Sequence, residues 1–207
     1  MNSLKNFTLE MFEKNPSILI IGQKNSGKSF LCKELINYFK QFSTGTIISD
    51  SNEFYSKFFS DTKIYHDYSS IIIEEQLKNK EEQLKNKTFI VMDDCFTSNN
   101  NLAKDENIKQ LLFNGRHMGI TYILTMQFPL SITPEIRNNF DYVFLLANDL
   151  QSDQEKIWKH YANIFPTFDA FHNVYRDLTN NFGCMVLVNR DAKEGFNKKV
   201  FSYKASN

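Results

Sequence analysis

The chain has 207 residues, with 24 Lys and Arg against 24 Asp and Glu and a formal net charge of zero at pH 7. That length suits one α/β domain, residues 1–207, with a full core and little besides; the charge balance excludes a global basic field, so any contact with nucleic acid rests on local patches or on several subunits lining a shared surface. The three cysteines, Cys32, Cys95 and Cys184, have no paired spacing, which excludes a disulfide frame or a cysteine metal site and reads as reduced thiols of an intracellular protein.

Met1–Phe7 contains no sustained apolar stretch of the kind a signal peptide or membrane anchor needs, which predicts a protein of the cytosol or of a particle assembled there. The apolar run Ser17–Ile21 then reads as a buried strand and Phe30–Phe39 as an amphipathic helix. Between them stands Gly22-Gln23-Lys24-Asn25-Ser26-Gly27-Lys28-Ser29, the pattern G-x-x-x-x-G-K-S. In a strand–loop–helix setting this is a phosphate-binding loop: the glycines let successive amides face inward at the positive end of the helix, Lys28 reaches the β- and γ-phosphates, and the Ser29 hydroxyl ligates Mg²⁺. ATP and Mg²⁺ are the expected ligands.

Further strands are expected at Thr46–Ser49, Lys63–Tyr65, Thr88–Met92, Ile120–Thr125, Asp141–Leu146 and Gly183–Val188, with helices in most of the gaps and Val200–Tyr203 closing a terminal hairpin across the turn-rich Asn189–Asn197. The alternation predicts an α/β fold of P-loop NTPase type, a central and mostly parallel sheet flanked by helices. Glu74–Lys80 is repeated without change as Glu81–Lys87. Favourable pairs four residues apart make this duplicated heptad helical, and its narrow Leu77 and Leu84 stripe fits a lengthened surface helix better than a coiled coil, which needs more heptads.

Thr88–Met92 ends in Asp93-Asp94, the form of a Walker B motif. Asp93 at the strand tip would hold Mg²⁺ opposite Ser29, and Asp94 would polarise the attacking water as general base. Two acids after a strand can equally be an N-cap and turn; the P-loop upstream favours the catalytic role. Strand material between the two motifs, plus the second acid, points to the P-loop branch that hydrolyses with an on-strand carboxylate, the RecA-like group. Ile120–Met126 leads to Gln127, which parallel topology carries to the phosphate edge as a candidate γ-phosphate sensor.

Asn114-Gly115-Arg116-His117-Met118-Gly119-Ile120, the strand ending in Gln127, and Ile136-Arg137-Asn138-Asn139-Phe140-Asp141-Tyr142-Val143-Phe144 together resemble the poxvirus-type genome-packaging ATPases of the FtsK/HerA superfamily, found in large DNA viruses, virophages and archaeal viruses. The resemblance spans Ser17 to Leu146. It implies an ATPase motor that pumps double-stranded DNA into a preformed capsid, a homo-oligomeric ring of pentamer or hexamer type, a capsid or portal-vertex partner, and residence in the host cytoplasm or the virion. It also implies that Arg116 reaches the ATP of a neighbouring subunit, with Arg137 as the second candidate. The Asp-Asp pair matches the viral branch, whereas many cellular members carry Glu second. Lys198, Lys199 and Lys204, interleaved with Phe201 and Tyr203, form either a small DNA-facing patch or a lysine-protected edge strand. From other classes, a small P-loop nucleotide kinase and a nucleotide-gated binding protein remain alternatives; the four arginines, Arg116, Arg137, Arg176 and Arg190, do not cluster as a kinase lid requires. His66, His117, His160 and His172 have no metal-type spacing.

Overall fold

A computed structural model describes residues 4–40, 44–59, 62–78, 88–95, 105–130, 132–190 and 195–206. In chain order the elements are β1 (Ser17–Ile21), α1 (Lys28–Lys40), β2 (Thr44–Ser49), α2 (Asn52–Ser56), β3 (Lys63–Tyr65), α3 (Ser70–Lys78), β4 (Thr88–Asp93), α4 (Glu106–Asn114), β5 (Ile120–Met126), α5 (Pro134–Arg137), β6 (Tyr142–Leu145), α6 (Gln151–His160), α7 (Phe168–Thr179), β7 (Gly183–Val188) and β8 (Val200–Lys204).

Among the described residues eight strands join one sheet in the order β3-β2-β4-β5-β1-β6-β7-β8. Pairing is parallel from β3 through β6, and β7 and β8 add an antiparallel hairpin at one edge. The near-continuous apolar runs of β1, β4 and β5 follow from burial on both faces. Alternate side chains feed two cores. Ile18 and Ile20 pack with Leu31, Leu35 and Ile36 of α1 and Tyr55 of α2, while Leu19 and Ile21 pack with α3, α4, α6 and α7 through Ile73, Ile108, Ile157 and Phe171.

The expected strands are all present, with boundaries moved by two residues at most, and the terminal hairpin forms as expected. Sheet order adds what the sequence alone left open: β5 lies between the P-loop strand β1 and the Walker B strand β4, so the C-terminal ends of the three strands share one edge. Of the duplicated heptad, the first copy begins within α3, where Glu74 and Lys78 pair at 2.5 Å and Leu77 is buried in the core; residues 79–87 lie outside the described residues. In the tail hairpin Phe201 is buried and Tyr203 packs edge-on to Phe7 and Phe144.

Candidate nucleotide-binding and hydrolysis site

The turn from β1 into α1 is made by two left-handed residues, Asn25 (φ 64°) and Gly27 (φ 98°). Gly22 permits close approach instead: a Cβ there would stand 2.5 Å from Ser26 Oγ and 2.8 Å from Leu146 Cβ. The Lys28 ammonium donates to the Gln23 carbonyl at 3.1 Å across the mouth of the loop. Burial lowers its pKa, an effect that the charges of Asp94 and Asp93 oppose. Ser26 Oγ is buried with no hydrogen-bond partner among the described residues. An unsatisfied hydroxyl and an ammonium turned onto its own loop are groups that a phosphate's oxygens would satisfy.

Across the same edge Asp93 closes β4, almost fully buried. Thr125 donates to its Oδ1 at 2.5 Å, and Tyr55 and Ser49 donate to its Oδ2 at 2.7 and 3.4 Å. Burial first, then the charges around Cys32 and Asp93, pushes the Tyr55 hydroxyl well above its ordinary value, which keeps it a donor. Three hydroxyl donors hold the carboxylate in one orientation. The Asp93 carboxylate and the Ser29 hydroxyl are hard oxygen donors of the kind Mg²⁺ takes, an ion that retains several waters in such sites. A separate exposed group, Asp50, His66 and Asp67, brings its ligand atoms within 4.8 Å of one another, and solvation accounts for it.

Asp94 takes a left-handed conformation (φ 57°), and its amide donates to Thr125 Oγ1 at 2.9 Å. Asp tolerates this region better than most residues, and such conformations cluster at functional sites. The Gln127 amide nitrogen donates to the Asp94 carboxylate. Lys28, Asp93, Asp94 and Gln127 are thus brought together, with Thr125 linking both acids.

Arg116 is not part of this edge. It precedes β5, at the opposite end of the sheet, roughly 20 Å of strand away from the P-loop. There its half-exposed guanidinium pairs with Asp141, whose Oδ1 also lies 3.1 Å from Arg190 Nε as an ion pair, while Arg190 pairs with Glu13. These groups line a cleft of ≈ 450 Å³ with Asn15, His117 and Asn189. Arg137, by contrast, is buried, its guanidinium 5.6 Å from the Tyr161 ring centroid.

Two contributors to the P-loop come from beyond β6, where the sequence suggests only packing. Gln23 Nε2 donates to Asp149 at 2.7 Å and the Asp149 amide returns a bond to Gln23 Oε1 at 2.9 Å, clamping the first turn of the loop. Phe182 lies against Gly27. No local signal marks either. Thr125 stands opposite Asp93 in the register of β4 and β5, a pairing that only the sheet order supplies.

No family model matches the chain. It is 35% identical to the uncharacterized protein L437 of Acanthamoeba polyphaga mimivirus over 218 residues, covering 98% of this chain and 77% of that protein. The chain belongs to that viral protein family. Among solved structures, this member of the family shares its fold with the genome packaging NTPase B204 from Sulfolobus turreted icosahedral virus 2 in complex with AMPPCP, with a TM-score of 0.71 at 18% identity over 93% of this chain and 99% of that one. The pCW3 conjugation coupling protein TcpA gives a TM-score of 0.67 at 16% identity, covering 93% of this chain and 60% of that one. The resemblance to viral genome-packaging ATPases is borne out at the level of the fold, which is that of a P-loop NTPase. Among the described residues no helix is long and apolar enough to cross a membrane.

Proposed function

We propose that the protein is an ATP-hydrolysing motor that drives double-stranded viral DNA into a preformed capsid, working as a homo-oligomeric ring docked on a capsid or portal-vertex protein in the host cytoplasm. The observation that carries this reading is the convergence of the P-loop, Asp93, Asp94 and Gln127 on one sheet edge, on the scaffold of a viral packaging NTPase. Gly22–Ser29 cradles the phosphates with inward amides, and Lys28 neutralises the β- and γ-phosphate oxygens. Mg²⁺, held by Ser29 and Asp93, would supply further charge neutralisation at the terminal phosphates. Asp94 accepts the proton of the attacking water; Gln127, bonded to that carboxylate, fixes its direction and links it to the state of the γ-phosphate.

Arg116 completes the site of a neighbouring subunit. A whole strand separates it from the P-loop of its own chain, so a role at an ATP requires another copy. Its exposure and its pairing with Asp141 suit a group held ready on a subunit surface, while the burial of Arg137 against Tyr161 suits structural support. Phe128, Leu130 and Leu150, exposed apolar residues following β5 and β6, give the nucleotide edge the character of a surface that a partner covers.

The test separates binding from turnover. Lys28→Ala should abolish ATPγS binding, and Asp94→Asn should bind ATPγS normally while losing about a hundredfold or more in hydrolysis rate, the usual worth of a general base. Hydrolysis at the wild-type rate by Asp94→Asn would overturn the assignment.

A further inference from the structure

Phe182 is a bulky aromatic residue that is 68% exposed, at the end of the sheet where the nucleotide's phosphates are placed. It immediately precedes β7, whose Met185 pairs with Leu145 at the C-terminal end of β6, beside the P-loop strand. Its ring lies beside the loop itself: a Cβ on Gly27 would stand 3.4 Å from Phe182 Cδ1 and 3.7 Å from Phe182 Cβ. Two successive left-handed residues, Asn181 (φ 51°) and Phe182 (φ 62°), put it there. Asn is common in this conformation after a helix, but for a large aromatic residue it is disfavoured. Helix termination alone is served by Asn181 and gives no reason for a phenyl ring at the next position. The helix leading to it is anchored to the same region, since the Tyr175 hydroxyl donates to the Leu146 carbonyl.

We propose that Phe182 is the base platform of the site, the aromatic face on which the nucleobase of a nucleoside triphosphate stacks while its phosphates occupy Gly22–Ser29. This rests on the P-loop reading above. Phosphates seated in the loop leave the ribose and base on the surface outside it, and Phe182 is an exposed ring adjoining that surface. Flat π-faces pair well in offset stacking. Every base offers such a face, so the platform recognises a nucleobase as a class and favours the larger purines, with no hydrogen-bond code for one base. The Gly27 contact gives the ring a second consequence: a stacked base and the loop that grips the phosphates share one neighbour.

The test compares a ligand that has a base with one that lacks it. Binding of ATPγS and of inorganic tripolyphosphate, each with Mg²⁺, is measured by calorimetry on the full chain for wild type, Phe182→Ala and Phe182→Trp. Phe182→Ala should weaken ATPγS about tenfold or more and leave tripolyphosphate unchanged, the usual effect of removing one stacking partner. Phe182→Trp should retain ATPγS affinity. Equal loss of both ligands in Phe182→Ala would mean that the ring only shapes the loop and would overturn the platform, as would unchanged ATPγS binding. Failure of the wild type to bind either ligand would instead overturn the P-loop reading on which the platform rests. Because the side chain is exposed, the alanine variant should melt near the wild-type temperature, and the tryptophan variant reports stacking even if it does not.

Discussion

Thr125 Oγ1 donates to the Asp93 carboxylate and accepts from the Asp94 backbone amide, so one hydroxyl fixes the Asp93 side chain and the Asp94 backbone. Replacing it with the near-isosteric valine removes these bonds with little change of volume. On the proposed mechanism Thr125→Val should lower kcat by about ten- to a hundredfold, the usual cost of losing a group that orients a metal or catalytic ligand, with ATPγS affinity little changed. Steady-state hydrolysis and calorimetric binding separate the two quantities. Tyr55 lies deeper: its fully buried hydroxyl serves Asp93 Oδ2. Tyr55→Phe leaves a buried carboxylate short of a donor and should destabilise the fold by about 1–3 kcal/mol, read as a lower urea midpoint. The P-loop and the acid pair were legible in the sequence because their tasks depend on local backbone and on strand ends. Tyr55, Asp149 and Phe182 were not, because each reaches the site through the packing of an element distant in sequence.

At the scale of elements, α4 is fixed at its start by Asp105. That carboxylate accepts from the amides of Asn107 and Ile108, and from the hydroxyls of Tyr68 and Ser70 ahead of and at the start of α3, so a helix cap is also a tie between two helices. Burial raises the Asp105 pKa, but the bonds from Tyr68, Ser70 and the two amides outweigh it, and the net value is lowered. A lowered folded-state pKa means that the ionised form stabilises the fold above the ordinary carboxylate pKa and that this contribution disappears as pH falls through the folded value. Asp105→Ala should therefore cost about 1–2 kcal/mol near neutral pH, and the difference from wild type should shrink in acid, as measured by denaturant unfolding across pH. A gap that persists unchanged below the carboxylate range would assign the loss to packing instead. Continuous apolar runs made the strands readable. Their order was not, because β1 and β4 are separated by β5, which comes later in the chain, and no local signal in either run encodes that insertion.

For the whole molecule, the two ends of the sheet carry different charge groupings. The nucleotide end holds Lys28 among Asp93 and Asp94; the opposite end holds Arg116 and Arg190 about Asp141. A ring that brings one end of a subunit to the other end of its neighbour would make hydrolysis depend on assembly. Arg116→Ala should then bind ATPγS and lose about a thousandfold in turnover, as arginine fingers do. Mixing it with Asp94→Asn subunits, which retain Arg116 but cannot turn over, should restore part of the rate. The absence of rescue in assemblies shown to be mixed would contradict the trans role.

The most direct measurement of the central claim is ATP hydrolysis per subunit as a function of protein concentration, with and without long double-stranded DNA. The motor account predicts a rate that rises with concentration, as sites are completed between subunits, and rises again with DNA. A flat, DNA-independent rate would contradict it and leave a self-sufficient monomeric nucleotide-binding enzyme or switch.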